Sequence, residues 1–338
     1  MVFSIRRVAL MAALMLPLLS CAADIQFHNP LVRQRADPQV ALQADGYYYM
    51  TATVPEYDRI ELRRARSLDE LGQAMPQVVW RKHASGPMGA HIWAPEMHRI
   101  DGKWYIYFTA APAESVWEIR LFVLENASED PFKGEWIERG QLRTGWESFA
   151  LDATTFALDG KRYLVWTQRA AGGKGGTNIY MAQMDTPVSI TGRVALLSKP
   201  EYPWEKVKYD VNEGPAVLVH GGRVFLTYSA SATDANYCMG MLSAPVGADL
   251  LDPVVWRKSP EPVFRSSEAN AQYGPGHNSF TTTPDGKTDI LVYHARNYRE
   301  IKGDPLHDPN RDTRAQVIHW RADGTPDFGE PVADAPRE

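Results

Sequence analysis

The 338-residue chain has only two cysteines, Cys21 and Cys238, so no disulfide framework holds it and packing must do so. It has no excess of basic residues: 36 Lys and Arg face 41 Asp and Glu, a net charge of −5. That balance excludes the electrostatic footprint of a nucleic-acid binder and suits a neutral or weakly charged partner. Long apolar runs are missing too. The run at residues 8–19 falls short of the ~20 residues that a membrane span needs. Helical periodicity is scarce: residues 60–66 and 67–71 alone suggest it, and Ser67 with Glu70 at capping-box spacing reads as one short surface turn at most.

The apolar run has its own reading. Arg6 and Arg7 precede it and Ser20, Cys21, Ala22 and Ala23 follow, so residues 1–22 read as a signal peptide and the mature chain as exported, periplasmic or extracellular. Cleavage after small residues and lipid attachment at Cys21 both fit.

Turns and aromatics are plentiful, with 25 Gly, 24 Pro, 10 Trp and 15 Tyr. Five times an Asp-Gly or Gly-Gly pair leads into an aromatic or β-branched run, such as Asp101-Gly102-Lys103-Trp104-Tyr105-Ile106-Tyr107-Phe108. Such pairs supply the positive φ that tight hairpins need. The turn glycines Gly46, Gly102, Gly160, Gly222 and Gly286 stand 56, 58, 62 and 64 residues apart, a repeat of whole sheets rather than of single hairpins. Outer strands are expected at residues 77–80, 134–137, 193–197, 253–256 and 316–320. Four strands per repeat around a channel predicts an all-β, five-bladed β-propeller over residues 28–328, in one domain. Each repeat exceeds a minimal blade, which leaves long loops on one face.

Counting back eight or nine residues from each turn glycine reaches Asp37, Trp93, Asp152, Glu213 and His277. In a propeller these positions converge on one mouth of the channel. Alone, each has a structural reading, as for Asp37 before Pro38 at a turn. Five polar or aromatic residues at one register of otherwise apolar segments are costly to bury without a purpose. Clustered carboxylates of unlike pKa around a sugar-sized pocket suit glycoside hydrolysis, with Trp93, Phe156 and Tyr273 as stacking platforms. Residues 172–177 lack P-loop spacing and read as a flexible loop; His83, His91 and His98 lack metal-ligand spacing; residues 307–312 read as a surface or rim loop.

The segments Ala36-Asp37-Pro38, Trp93-Ala94-Pro95-Glu96, Leu151-Asp152-Ala153-Thr154, Asn212-Glu213-Gly214-Pro215, Gly276-His277-Asn278 and Tyr293-His294-Ala295-Arg296 together resemble glycoside hydrolase family 43, from about residue 29 to residue 328. The resemblance implies an inverting hydrolase of arabinose- or xylose-containing plant polysaccharides. Asp37 is then the general base, Glu213 the general acid and Asp152 the carboxylate that orients the acid and tunes its pKa. No cofactor is required for chemistry; the one ion implied is a structural calcium or other cation on the axis, near His277. Arg296 and Arg314 serve either substrate hydroxyls or structural ion pairs. Residues 202–205, 252–256 and 261–264 resemble the exo-acting α-L-arabinofuranosidase branch, so the expected substrate is arabinan or an arabino-oligosaccharide and the expected form a monomer. A β-xylosidase, an endo-arabinanase and a non-catalytic carbohydrate-binding propeller are the alternatives. Inversion implies carboxyls about 6.5–9.5 Å apart.

Overall fold

A computed structural model describes residue 25 and residues 27–336; the signal segment and Cys21 lie outside the described residues. The first nineteen strands fall into five antiparallel sheets in chain order, and two short strands at the end form a sixth. The first holds β1 (Ala36–Leu42), β2 (Tyr48–Thr53), β3 (Arg59–Ala65) and β4 (Gln77–Arg81). The second holds β5 (Ala90–Ile100), β6 (Lys103–Ala111), β7 (Arg120–Asn126) and β8 (Ile137–Gln141). The third holds β9 (Ala150–Leu158), β10 (Lys161–Arg169), β11 (Thr177–Thr186) and β12 (Ser189–Ser198). The fourth holds β13 (Asn212–His220), β14 (Arg223–Ala230), β15 (Cys238–Pro245) and β16 (Arg257–Lys258), and the fifth β17 (Tyr273–Thr282), β18 (Asp289–Arg296) and β19 (Asp312–Val317). The first strand of each sheet is innermost, and these strands touch across a shared axis, making a five-bladed β-propeller. All five turn glycines have positive φ, as at Gly102 (82°), a backbone that a side chain disfavours.

Each blade is apolar on both faces because both are covered. Ile60 and Leu62 pack on Ile106 and Phe108 between the first two blades; Tyr107 and Val123 meet Leu164 and Trp166 between the next two. Val165 and Met181 then meet Val224 and Leu226, Phe225 and Met239 meet Leu291 and Tyr293, and Ile290 and Val292 close the ring on Val40 and Met50. This explains runs such as Tyr105-Ile106-Tyr107-Phe108, in which successive residues enter different interfaces.

The outer strands depart from expectation in three blades. The second blade's last strand begins at Ile137, the last residue of the expected 134–137 stretch, and runs on to Gln141. Pro253–Val255 is a single 3-10 turn capped by Asp252, because Pro253 cannot donate to a ladder; only Arg257–Lys258 pair as a strand. In the fifth blade the third strand is Asp312–Val317, and His319–Trp320 (β20) turns away to pair with Pro326–Asp327 (β21). The edge of β19 is met instead by the N-terminal segment: Leu31 N–H donates to the Thr313 carbonyl and Thr313 N–H to that of Val32, both at 2.8 Å. The side chain of Asn29 extends this pairing to both backbone groups of Ala315. Residues 60–71 hold no α-helix; Glu70 accepts from the N–H groups of Arg66 and Ser67 at a turn.

Candidate active site

Each inner strand carries a bulge near its start, where the ladder register slips, as between Ala36 and Gln39 and between Glu213 and Ala216. There one residue takes a left-handed backbone: Asp37 (φ 52°), Ala94 (43°), Asp152 (56°), Gly214 (57°) and His277 (42°). For the four that are not glycine this strain costs roughly 1–3 kcal/mol each and needs fixed surroundings. A hydrogen bond to the preceding blade supplies them. Asp37 N–H donates to His294 Nδ1 (3.0 Å), Ala94 N–H to Thr53 Oγ1 (2.7 Å), Asp152 N–H to Thr109 Oγ1 (3.1 Å), Gly214 N–H to Asp152 Oδ2 (3.0 Å) and His277 N–H to Ser229 Oγ (2.7 Å).

These five are the equivalent positions, and they amend the count made along the sequence. Trp93 and Glu213 stand one residue before their blades' left-handed residue. In the fourth blade the reason is steric: the His277 ring packs on Gly214, where an added Cβ would meet its Cγ at 3.0 Å. The side chain at that mouth therefore comes from Glu213.

The bulges bring Asp37, Asp152, Glu213 and His277 to the floor of one cavity of about 710 Å³, ringed by Trp117, by residues 175–177, 208–211 and 231–233, and by Asp304 and Leu306. That volume suits a small ligand. Asp37 Oδ1 lies 3.3 Å from Arg311 Nη1 and 3.3 Å from His277 Nδ1, and Oδ2 accepts from the Thr53 hydroxyl at 2.6 Å. Burial opposes ionisation of Asp37, but the neighbouring His277 and Arg311 outweigh it and hold the carboxyl well below the usual carboxylate range. His294, pushed by burial down to about 3, is neutral and takes the Asp37 amide proton at Nδ1.

The other two acids go the opposite way. Burial, with the charge of Asp37, pushes Glu213 up to about 7 against a 2.7 Å hydrogen bond donated by the Tyr237 hydroxyl to its Oε1. Burial, then the charges of Glu213 and Asp37, push Asp152 well above its usual range. Three carboxyls at one floor thus divide into one that ionises readily and a pair that holds protons.

The remaining expected site residues separate. Trp93 lies in the cavity wall, stacked on His91 (4.2 Å, 20°), with its indole N–H buried and without a protein acceptor. Phe156 is four residues beyond Asp152 and stacks on Tyr163 in the packing between the third and fourth blades, outside the cavity. Tyr273 bonds Glu268, also outside it. Arg296 is buried, giving Nε to Asp308 and its terminal nitrogens to the Thr233 and Pro305 carbonyls. Arg314 is fully buried on Asp334 and on the Ala295 and Asp312 carbonyls. Three N–H groups of Arg296 and four of Arg314 are thus engaged within the protein, and neither side chain lines the cavity.

Several site residues were not anticipated. Arg311, Tyr237, Thr53 and His294 come from second strands, loops or the return strand of other blades; Trp117 and Phe149 add apolar lining. The polar stretch 307–312 is more than a rim: Asp308 anchors Arg296 and Tyr298, and Arg311 reaches Asp37. Residues 175–177 line the cavity and are seated, with Thr177 bridged to Val211 and Gly176 pressed against the Asp210 carbonyl, where a Cβ would sit 1.8 Å away.

His277 does not fit as a cation ligand through Nδ1, which faces Asp37 beside the Arg311 charge. Among the described residues no group of three or more His, Cys, Asp or Glu side chains is placed to share a metal ion.

Comparison with known proteins agrees with this geometry. The model of glycosyl hydrolases family 43 matches residues 27–326. The chain is 59% identical over 311 residues to an extracellular exo-α-(1→5)-L-arabinofuranosidase of Streptomyces avermitilis, covering 92% of this chain and 65% of that protein. It is 59% identical over 279 residues to the enzyme of the same name from Streptomyces chartreusis, covering 82% and 85%. It thus spans just under two thirds of the first relative and most of the second. The crystal structure of an α-L-arabinofuranosidase from Lactobacillus brevis superposes with a TM-score of 0.89 at 52% identity, over 92% of this chain and 98% of that one. The family model over most of the chain and the relatives at 59% identity have one reading: the chain belongs to glycosyl hydrolases family 43.

Proposed function

We propose that this protein is an inverting hydrolase that releases terminal α-L-arabinofuranosyl units from arabinan or arabino-oligosaccharides, with residues 28–328 as one catalytic domain. The observation that carries this reading is the convergence of three buried carboxyls on one cavity, Asp37 against the Arg311 guanidinium at 3.3 Å and Glu213 pushed by burial up to about 7. Asp37, ionised, takes a proton from a water on one face of the sugar. That oxygen bonds the anomeric carbon as the glycosidic bond breaks, and Glu213 gives its proton to the departing oxygen on the other face. Asp152 holds the Gly214 amide, and so the backbone beside Glu213, while its charge state couples to that acid. Trp93, stacked on His91 in the wall, is the sugar platform.

Release from a chain end is supported by the Streptomyces relatives, both named exo-α-(1→5)-L-arabinofuranosidases, and loops of the second to fifth blades line the cavity where a chain end would sit. The Streptomyces relatives are named extracellular, and no helix among the described residues is long and apolar enough to cross a membrane; with the basic and apolar start of the chain, these support export. Parallel assays on an aryl arabinofuranoside, an aryl xyloside and linear arabinan test the reading. Turnover of the first, with single arabinose units released from the third, is expected. Preferred turnover of the xyloside, or release of internal fragments, defeats it.

A further inference from the structure

Each of the two proposed catalytic carboxyls accepts a side-chain hydroxyl: Asp37 that of Thr53, and Glu213 that of Tyr237. The Tyr237 hydroxyl lies 2.7 Å from Glu213 Oε1, and Glu213 is its sole hydrogen-bond partner among the described side chains. With no other acceptor for the phenol proton, the phenol is the donor and Oε1 the acceptor. The carboxyl proton of Glu213 then resides on Oε2, the oxygen left for the cavity that Glu213 lines. The ring is held to do this. Tyr237 is 1% exposed. Gly276 lets it approach, since a Cβ there would sit 2.6 Å from its Cε1. Its other face lies parallel to His294 (5.7 Å, 5°), the same imidazole that accepts the Asp37 amide proton. One stack thus fixes the acid by a hydroxyl and the base by its backbone.

We propose that Tyr237 is a positioning residue for proton donation: it fixes which oxygen of Glu213 carries the proton and stabilises the carboxylate left once that proton has gone to the leaving oxygen. This rests on the reading of Glu213 as general acid. Burial and the charge of Glu213 raise the phenol well above its ordinary value, so it remains a donor while Glu213 cycles.

The test is the Tyr237→Phe variant, assayed by pH profiles of kcat/KM on aryl arabinofuranosides with a good and a poor leaving group. Loss of a hydrogen bond to the charged form of Glu213 is expected to move the alkaline limb up by about 1–2 pH units. At neutral pH kcat should fall more on the poor leaving group, with KM little changed. Gly276→Ala, which forces the ring off its seat, should shift the limb in the same direction; it also serves if the phenylalanine variant folds poorly. An unmoved alkaline limb in folded variants, with equal losses on both substrates, overturns the proposal. Glu213→Gln separates the two levels. If that variant shows no selective loss on the poor leaving group, the acid assignment itself fails; if it does while Tyr237→Phe shows no shift, only the role of Tyr237 fails.

Discussion

Replacing Arg311 with methionine removes the one permanent positive charge against Asp37 while keeping most of the stem's packing. Arg311 is 6% exposed, with Nη1 3.3 Å from Asp37 Oδ1. At an effective dielectric constant of about 20, a pair at that separation attracts by about 5 kcal/mol. Burial of both partners offsets part of this, and adjacent opposite charges typically move a carboxyl by about 1–3 pH units. The acid limb of kcat/KM, where Asp37 must be ionised, is therefore expected to rise by about 1–3 units toward the alkaline limb set by Glu213 near 7. The bell narrows from its acid side, and the peak rate falls as fewer molecules hold Asp37 ionised and Glu213 protonated together. Stability should fall by about 3–5 kcal/mol, because a buried carboxylate loses its partner. The linkage has a definite sign. A depressed pKa in the folded protein contributes stability above the ordinary carboxylate value, and that contribution is lost as pH falls through the folded value; in the variant the contribution is smaller and its loss is complete at higher pH. Arg311→Lys, which keeps the charge, should restore part of the shift. An acid limb unmoved in folded Arg311→Met refutes the electrostatic account of Asp37.

Glu213 carries the opposite linkage. Its pKa is raised on folding, so wild-type stability falls as pH rises from about 4 to 7, and Glu213→Gln should stabilise the fold by about 1–3 kcal/mol at pH 8 and by nothing at pH 4, read as a difference in Tm. The same variant should lose about 10²–10⁴-fold on a substrate with a poor leaving group and much less on one with a good leaving group. Arg296→Met should lower stability by about 3–5 kcal/mol while the folded fraction keeps near-normal kcat, since its guanidinium binds Asp308 and two carbonyls rather than the cavity; a selective loss of substrate affinity in a stable variant would reverse that assignment. Trp117 is 59% exposed at the cavity rim, and Trp117→Ala should raise KM about two- to tenfold, the worth of one aromatic contact, with kcat kept.

Local chemistry in the chain predicted what depends on local chemistry. Asp-Gly and Gly-Gly pairs announce hairpins because few other residues hold positive φ, and five of them at even spacing reveal the blades. Asp37, Asp152 and His277 were legible because each sits eight or nine residues before such a turn glycine on a strand that must reach the axis. Contacts made by closing the ring were not legible. Arg311 meets Asp37 across 274 residues, and nothing in its polar neighbourhood distinguishes it from a rim arginine. Tyr237 follows a loop and enters the site only because Gly276 leaves room for its ring. Arg296 was ambiguous for the complementary reason: an arginine in the motif His294-Ala295-Arg296 has the chemistry of a substrate ligand, and only the folded chain places it on Asp308 and two carbonyls, away from the cavity lining. Phe156 shows the limit of counting along a strand, since four residues beyond Asp152 the chain has left the mouth and packs against the next blade. The fifth blade's edge could not be foreseen either, because Asn29, Leu31 and Val32 reach it only when the first and last blades meet.

The most direct test of the central claim is the anomeric configuration of the first arabinose released, followed by proton NMR before mutarotation. Attack by a water activated at Asp37, with Glu213 protonating the oxygen on the opposite face, predicts β-L-arabinofuranose as the first product from an α-linked substrate. Appearance of the α-anomer first would contradict it, placing a carboxylate as nucleophile rather than as base.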